Sequence, residues 1–433
     1  MSFLKWCCDE RFHEEMEGDL HEMYEDLVEK HGNRVAKRRF LKAAFSYMRP
    51  YFFKKSRSGA SVLTAQQFHL KIAFRYFERN KVFVMINVLG LALGVACALW
   101  INQLIEHETS FDQFHTGVDR TYRVVRVSQV EGADEFRTGV VFPLSANIRS
   151  DLPAAEAVTA TYPLWNAHLA VLNEEGGVEK KFKESKGVGM VDEDFFEVFD
   201  FGEQGANWIH GKPRQALAEP FGMVLTASMA RKYFGVTNPV GRLITIDDSY
   251  NFTVTGVVQD LPTTTDLPFT VFLSFRSLEE MWGDFVKTGW VGVSDNSQCY
   301  LRLREGVSPS AFDEQLAQLH SAHVSESIAA MRTYKLQPMA EVHRDARFGN
   351  YSDRTTSEGT VLVLWAIAIF VLLTASVNYI NLATAQSGLR AKEMGMRKVV
   401  GSNRLGIMLQ SYTETFLITL LAVLLGLAIT VSG

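Results

Sequence analysis

The chain has 433 residues, of which 47% are hydrophobic and 21% are charged, and its formal net charge is −5. This length allows two or three domains with a substantial apolar core, and the weakly acidic balance gives no reason to expect nucleic-acid binding. The four cysteines are too few and too scattered for a disulfide framework: Cys7, Cys8, Cys97 and Cys299.

The N-terminal residues 1–58 are rich in charge and carry apolar side chains at helical spacing. Apolar side chains recur from Phe12 to Val28 on an acidic background, and Gly32 follows where a helix is expected to end. A basic second helix is predicted to end at Pro50. The N-terminus is charged where a cleavable signal peptide would be apolar, so we expect the first apolar stretch to stay in the protein. We predict a helical domain over these residues, and the Lys and Arg distribution described below places it in the cytoplasm.

Residues 59–81 predict a linker followed by a helix at the membrane surface. The run Ser56–Ser61 has the small polar residues of a flexible linker. After it, Phe68–Lys81 mixes aromatic side chains with Lys and Arg. This is the pattern of an amphipathic helix whose aromatic face lies in the inner leaflet and whose cations face the headgroups.

Three later stretches are long and apolar enough to cross a membrane. A span needs about 20 apolar residues, and uncharged runs of this length are rare in water-soluble folds. The third stretch is uncharged after Glu414. The predicted transmembrane helices are 82–105, 359–385 and 411–433.

Lys and Arg residues define an orientation for these spans. They accumulate from Arg34 to Lys81 before the first span and from Arg390 to Arg404 between the second and third spans. Since cytoplasmic loops carry the excess of Lys and Arg, both regions are predicted to be cytoplasmic. The two signals agree only if the intervening residues 106–358 lie on the outer side of the membrane.

The predicted outer domain at 106–358 has short β-rich runs with helices between them. Thr121–Ser128 and Tyr250–Val258 alternate in the manner of strands, and Ser308–His320 is predicted to be helical. We therefore predict an α+β domain in two lobes. The fold class is an α-helical membrane protein with three spans and this domain between spans 1 and 2.

Motifs in the outer domain resemble the periplasmic core domain of macrolide-exporter-type ABC permeases. They occur in the same order as in that family: Asp119–Val124, Val191–Phe199, Val224–Gly235, Asn238–Arg242 and Val254–Pro262. Taken by themselves, the Gly and Pro positions read as turns and the Phe and Val positions as core.

A second resemblance covers the N-terminal region. Glu17–Lys55 is similar to the permease prefix domain found before some bacterial permeases of this class. The alternative is a generic helical hairpin with a basic face toward the membrane. The two resemblances together imply a bacterial inner-membrane protein whose large domain is periplasmic.

The segment Asn378–Arg404 resembles the signature of FtsX-like permeases. In that family the loop, here 386–408, forms a coupling helix that docks on a separate ATP-binding subunit. The resemblance assigns the coupling role to Arg390, Lys392, Glu393, Arg397, Lys398 and Gly401. Independently, Glu393 and Arg397 are four apart in the order that favours a helical ion pair. The alternative is a basic loop that only satisfies membrane topology.

Small and polar residues in the spans predict helix packing. Gly90, Gly94 and Ala98 recur every fourth residue in the first span, a small-residue face that lets helices approach closely. Asn378 and Asn381 lie at the cytoplasmic end of the second span. We expect them to serve packing through hydrogen bonds rather than a substrate pathway.

The sequence offers little for catalysis or metal binding. His320 and His323 are three apart on a predicted helix, but no further His or Cys cluster accompanies them to form a zinc site. Gly205–Pro213 differs from a phosphate-binding loop because five residues separate its glycines and Pro213 replaces the Ser or Thr. We predict no catalytic residue, metal or cofactor on this chain, and expect ATP and magnesium on a partner ATPase.

These observations predict a transport subunit rather than an enzyme. The resemblance implies a permease of the mechanotransmission type, in which a separate ATPase drives movements of the periplasmic domain for efflux. The expected partners are that ATPase, a second permease half or copy, a periplasmic adaptor with an outer-membrane channel, and membrane lipids. The alternative is a transmembrane sensor, or a regulator of periplasmic hydrolases.

The sequence departs from the family at its end. Family permeases have a fourth span, and members with the prefix domain usually have a second copy of the whole unit. This sequence ends within or just after its third span, at 411–433. We therefore expect it to be a fragment of a longer permease or the product of a split gene.

Overall fold

The structure is a computed structural model that describes residues 21–28, 60–201, 207–235, 238–399 and 404–432. The predicted prefix domain lies outside the described residues except for 21–28, which is helical.

The described chain contains long helices at both ends and short helices between them. In chain order, the helices are α1 (Ala60–Arg79), α2 (Lys81–Thr109), α3 (Leu144–Asp151), α4 (Phe195–Val198), α5 (Pro213–Ala218), α6 (Ala227–Phe234), α7 (Ser277–Trp282), α8 (Phe285–Thr288), α9 (Pro309–His323), α10 (Glu326–Met331), α11 (Glu358–Ala385), α12 (Ser387–Val399) and α13 (Arg404–Ser432). Short 3₁₀ turns occur at Val118–Arg120 and Met339–Glu341.

All strands of the described chain lie between α2 and α11. In chain order, they are β1 (Thr121–Val130), β2 (Ala133–Arg137), β3 (Ala155–Leu164), β4 (Ala167–Leu172), β5 (Val178–Glu184), β6 (Val188–Val191), β7 (Trp208–His210), β8 (Gly222–Thr226), β9 (Leu243–Ile246), β10 (Tyr250–Val258), β11 (Val271–Ser274), β12 (Gln298–Leu303) and β13 (Arg332–Pro338).

Among the described residues, three helices are long and apolar enough to cross a membrane: α2, α11 and α13. α2 and α11 contain the first two predicted spans, and α13 covers residues 411–432 of the third, so the prediction of three membrane helices is confirmed by length and composition. The glycines inside α2 do not interrupt it, because backbone hydrogen bonds are hard to replace in lipid and neighbouring helices support the chain. α1 ends at Arg79, and only Asn80 separates it from α2.

The strands of the outer domain join in one hydrogen-bonded order, β13-β1-β12-β3-β6-β11-β8-β10-β9-β4-β5, with β2 paired to β1 and β7 to β10. β8 and β10 are parallel, as are β6 and β11, and the other recorded pairs are antiparallel. A mixed sheet with helices beside it confirms the α+β class. The division of this domain into two lobes stays a prediction.

The apolar core of the domain consists of three clusters of buried side chains. The first lies around β8, β9 and β10 and includes Val254, and the second is built largely from Phe195, Phe199 and Phe272. The third packs α9 against the sheet through Phe312. The aromatic positions of the family motifs are therefore core positions, as the sequence predicts.

Two glycines of the same motifs have a backbone that requires glycine. Gly235 follows α6 with φ +69°, and Gly241 has φ +87°. These angles lie in the left-handed region, where a side chain is strained and glycine is not. The turns predicted from these motifs are thus present where the structure describes them.

The chain forms two compact units. One contains Gly94–Ala375, and therefore the outer domain together with the adjoining halves of α2 and α11. The other contains the remaining halves of those helices, with α1, α12 and most of α13, and includes Ser376–Gly426.

Candidate coupling site

The loop between the second and third spans forms a short amphipathic helix, α12. Lys392 and Lys398 are exposed on it, as are Met394, Met396 and Val399. Exposed apolar side chains between cations provide the contacts that a partner protein would need. The side chains of Arg390, Glu393 and Arg397 and the whole of Gly401 lie outside the described residues, so their coupling role stays a prediction.

Two of the three small residues of the first span, Gly90 and Gly94, lie near the second span. A Cβ added to Gly94 would lie 2.7 Å from Cβ of Ala375, so the two helices touch at a point where only hydrogen fits. A Cβ on Gly90 would lie 3.6 Å from Nδ2 of Asn378, which is ordinary contact. Ala98 is half-buried, and Asn381 is exposed. The packing role of these residues stays a prediction.

Sequence reasoning missed one buried cluster of charged side chains in the described chain. Glu108 lies in the last turn of α2 and is only 3% exposed. Its carboxylate accepts hydrogen bonds from the Arg354 guanidinium and the Thr356 hydroxyl, and Nε2 of His343 lies 3.1 Å away. The end of the first span is thereby bonded to residues that directly precede the second span.

The same histidine continues the contact into the outer domain. Nδ1 of His343 lies 3.1 Å from Oδ1 of Asp266, a carboxylate that is 1% exposed. The ring of Phe111 stacks on His343 with centroids 3.7 Å apart. The two ring nitrogens of His343 therefore face one carboxylate each. We call Glu108, Asp266, His343 and Arg354 the buried joint.

The carboxylates of the joint are fully engaged by neighbouring polar groups. Asp266 also accepts hydrogen bonds from Nδ2 of Asn350 at 2.8 Å and from the Ser352 hydroxyl at 3.0 Å. Asp112, which follows α2, accepts from the Asp266 backbone N–H at 3.0 Å and from Thr265 at 2.6 Å. Buried charge is tolerated when it is paired and hydrogen-bonded in this way.

Residues 339–357, here called the strap, connect β13 to the second span and are held to the sheet. Arg123 on β1 is fully buried and donates to the Gly349 carbonyl at 2.9 Å and to Oε1 of Gln337 at 2.7 Å. The Tyr351 hydroxyl donates to the Asn296 carbonyl at 2.8 Å. Burial raises the pKa of Tyr351 well above its ordinary value, so the phenol remains a donor.

The joint therefore brings three separate segments to one place: the end of α2, the β10–β11 connection and the strap. Two carboxylates face one guanidinium and one imidazole there. These hydrogen bonds hold the end of α2 and the start of α11 to the domain. The sequence signals that could have suggested it are Glu108 directly after a span and the polar run His343–Thr356 directly before another.

The two histidines considered for zinc have structural positions in the outer domain. His323 stacks on Trp290 with centroids 4.0 Å apart, and His320 meets the ring of Tyr334 edge-on. Burial lowers the pKa of His320 to about 4, helped by the nearby charge of Arg332. Within the described ranges, no group of three or more His, Cys, Asp or Glu side chains could hold a metal ion.

Comparison with protein families identifies the chain. A family model described as the MacB-like periplasmic core domain matches residues 84–319, more than half of the sequence. The chain belongs to the MacB-like periplasmic core domain family. A second model, the FtsX-like permease C-terminal domain, matches residues 365–432 and so includes α12. The resemblance drawn from the sequence motifs is confirmed: the chain carries the periplasmic core and FtsX-like domains of ABC transporter permeases.

Relatives of known class agree with this assignment. An ABC transporter permease of Bacillus subtilis, YknZ, is 26% identical over 212 residues, covering 48% of this chain and 48% of the relative. The macrolide export ATP-binding/permease protein MacB of Bdellovibrio bacteriovorus is 24% identical over 389 residues, covering 83% of this chain and 53% of the relative. This MacB-like chain spans about half the length of the curated relatives it matches.

Two solved structures are similar to parts of this chain. A permease domain from Porphyromonas gingivalis is 23% identical, covers 52% of this chain and 91% of that domain, and has a TM-score of 0.43. The periplasmic region of MacB from Actinobacillus actinomycetemcomitans is 15% identical, covers 51% and 89%, and has a TM-score of 0.35.

Proposed function

We propose that this chain is the membrane subunit, or one half of it, of an ABC transporter of the mechanotransmission type. ATP hydrolysis by a separate ATPase moves the loop 386–408, and α2 and α11 convey that movement to the periplasmic domain, which drives efflux. The observation that carries this proposal is the buried joint. It bonds the outer ends of both spans to the domain that is to be moved.

The chemistry of the joint supports transmission of force rather than simple anchoring. A domain can be tethered to a span by an ordinary polar linker, whereas burying carboxylates such as those of Glu108 and Asp266 costs several kcal/mol per charge before pairing. Pairing compensates for this cost only at one geometry, so the joint holds the helix ends in a fixed arrangement. A fixed arrangement is what a lever requires.

The orientation that this mechanism needs is supported by the basic residues. Lys71, Arg75 and Arg79 are exposed on α1, directly before the first span, and Lys392 and Lys398 are exposed on α12. Both groups belong on the cytoplasmic side by the positive-inside rule. We infer that the N-terminus and α12 face the cytoplasm and that residues 106–358 face the periplasm.

ATP and magnesium are assigned to the partner. The sequence shows no phosphate-binding loop of the expected spacing. Of the relatives, the Bdellovibrio protein is described as ATP-binding/permease, whereas YknZ is described as a permease alone. A second permease half or copy, and a periplasmic adaptor with an outer-membrane channel, complete the proposed assembly.

The test is purification from native membranes followed by mass spectrometry of the associated proteins. We expect an ATPase with a phosphate-binding loop to accompany the chain and to be lost in the variant Glu393→Ala/Arg397→Ala. The control is Glu135→Ala/Arg137→Ala, which removes an exposed ion pair of 2.7 Å in the outer domain and should retain the ATPase. A kinase or cyclase in place of the ATPase, or equal loss in both variants, would refute the proposal.

A further inference from the structure

A groove opens at the elbow where α1 meets α2. It encloses about 530 Å³ and is lined by Glu78, Arg79, Lys81, Val82, Ile86 and Gln386, among others. We call it the elbow groove.

The elbow is held in place by hydrogen bonds on two sides. Asn80 sits between the helices, and both its backbone N–H and its carboxamide donate to the Tyr76 carbonyl, at 3.0 and 3.1 Å. The Tyr76 hydroxyl donates to Oε1 of Gln386 at 2.9 Å. Gln386 directly follows α11, so the groove has a defined wall on the side of the second span.

The groove is cationic at its mouth and apolar along its wall. Arg79 and Lys81 are exposed, and neither forms an ion pair with another described residue. Glu78 offsets one of the two positive charges. Val82 and Ile86 are exposed apolar side chains at the start of a membrane-spanning helix, where acyl chains rather than water surround them.

We propose that the elbow groove binds an anionic phospholipid of the inner leaflet. The phosphate interacts with Arg79 and Lys81, as lipid headgroups do with basic side chains beside a span, and an acyl chain lies along Val82 and Ile86. The leaflet assignment rests on the orientation given under the proposed function. The choice of a lipid over free phosphate rests on the apolar wall, which a phosphate ion would leave unused.

The position of the groove gives the bound lipid a consequence for coupling. Gln386 lines the groove and immediately precedes α12, the helix predicted to dock on the ATPase. A lipid that fills the groove therefore contacts the base of that helix. Anionic lipid is expected to stabilise α12 in its docking position.

The test measures phospholipid binding to the full chain in detergent, by native mass spectrometry with phosphatidylglycerol and phosphatidylcholine. We expect phosphatidylglycerol to bind in preference to phosphatidylcholine. The variant Arg79→Gln/Lys81→Gln should lower the affinity for phosphatidylglycerol at least tenfold, because each cation near the surface raises the binding constant by about a factor of five. The matched control Lys71→Gln/Arg75→Gln removes the same charge from α1 and should change binding less than twofold.

Further measurements keep the proposal falsifiable. The charge-preserving swap Arg79→Lys/Lys81→Arg should insert normally and keep binding, which separates loss of the site from misfolding. Equal weakening in the two glutamine variants would reduce the effect to general surface charge and overturn the proposal. Full competition by inorganic phosphate would likewise overturn it. Binding requires no ATPase, so the lipid measurement can be interpreted even if the proposed transporter function is wrong.

Discussion

Replacing Glu108 with alanine tests whether the buried joint holds the end of the first span. Glu108 is the one group that contacts the strap residues Arg354, Thr356 and His343 together. Its removal leaves His343 facing only Asp266. The expected result is local opening between α2 and the strap, with the sheet of the domain intact.

The magnitude follows from how buried each partner is. The Arg354 side chain is 55% exposed, so water replaces its lost partner and its contribution is small. His343 is 3% exposed, so its lost hydrogen bond to a charged group costs roughly 1.5–3 kcal/mol. Loss of the Thr356 bond and of packing around Glu108 raises the total to about 3 kcal/mol, within the 3–5 kcal/mol typical of breaking a buried pair.

Hydrogen exchange of the full chain in lipid nanodiscs measures this change at individual amides. The Thr356 N–H donates to the His343 carbonyl at 2.9 Å and reports on the strap. A loss of about 3 kcal/mol makes it exchange roughly 100-fold faster, at 1.4 kcal/mol per tenfold.

The matched control is Glu106→Ala, which removes the same side chain from an exposed position on the same helix turn and should change exchange by less than a factor of about three. The reasoning is refuted if the Thr356 amide remains equally protected in Glu108→Ala. It is also refuted if the two variants behave alike.

Three further predictions concern other parts of the chain. Gly94→Val should lower the melting temperature in detergent, because its side chain would collide with Ala375 and overpacking costs about 1–3 kcal/mol; an unchanged melting temperature would exclude close packing there. We expect the outer domain to become less stable as the pH falls from 6.5 to about 4. Burial lowers the pKa of His320 in the folded domain, so the unfolded chain takes up the proton first. The loss is on the order of 2 kcal/mol and should be absent in denaturant titrations of His320→Leu. Arg123→Met should destabilise the domain by about 2–4 kcal/mol by leaving Gln337 without its buried donor, measured by the same titrations, and a value below about 0.5 kcal/mol would contradict this.

The membrane helices and several strands could be predicted because their signals are local. Charge-free runs define α2 and α11, and alternation at Tyr250–Val258 gives β10 with the same bounds. Gly235 and Gly241 mark turns through their own backbone angles. In each case, residues that are neighbours in sequence determine the local structure.

The buried joint could not be predicted because its members are brought together only by the tertiary fold. Glu108, Asp266 and His343 follow no common period and belong to three segments far apart in sequence: the end of α2, the β10–β11 connection and the strap. Their meeting depends on strand order, and that order pairs β8 with β10 and β6 with β11 in parallel, across long stretches of chain. Taken singly, each of these residues is of a polar type that is common in ordinary surface loops.

Two contacts make the outer halves of the first and second spans one body with the domain. The joint fixes α2 at Glu108, and the close approach of Gly94 to Ala375 fixes it again 14 residues earlier, about 21 Å along the helix. A helix held at one point can pivot under load. In the proposed mechanism, a helix held at two points so far apart transmits tilt along its length, and a displacement applied below Gly94 reaches the sheet through Asp266 and the strap rather than being absorbed between the spans.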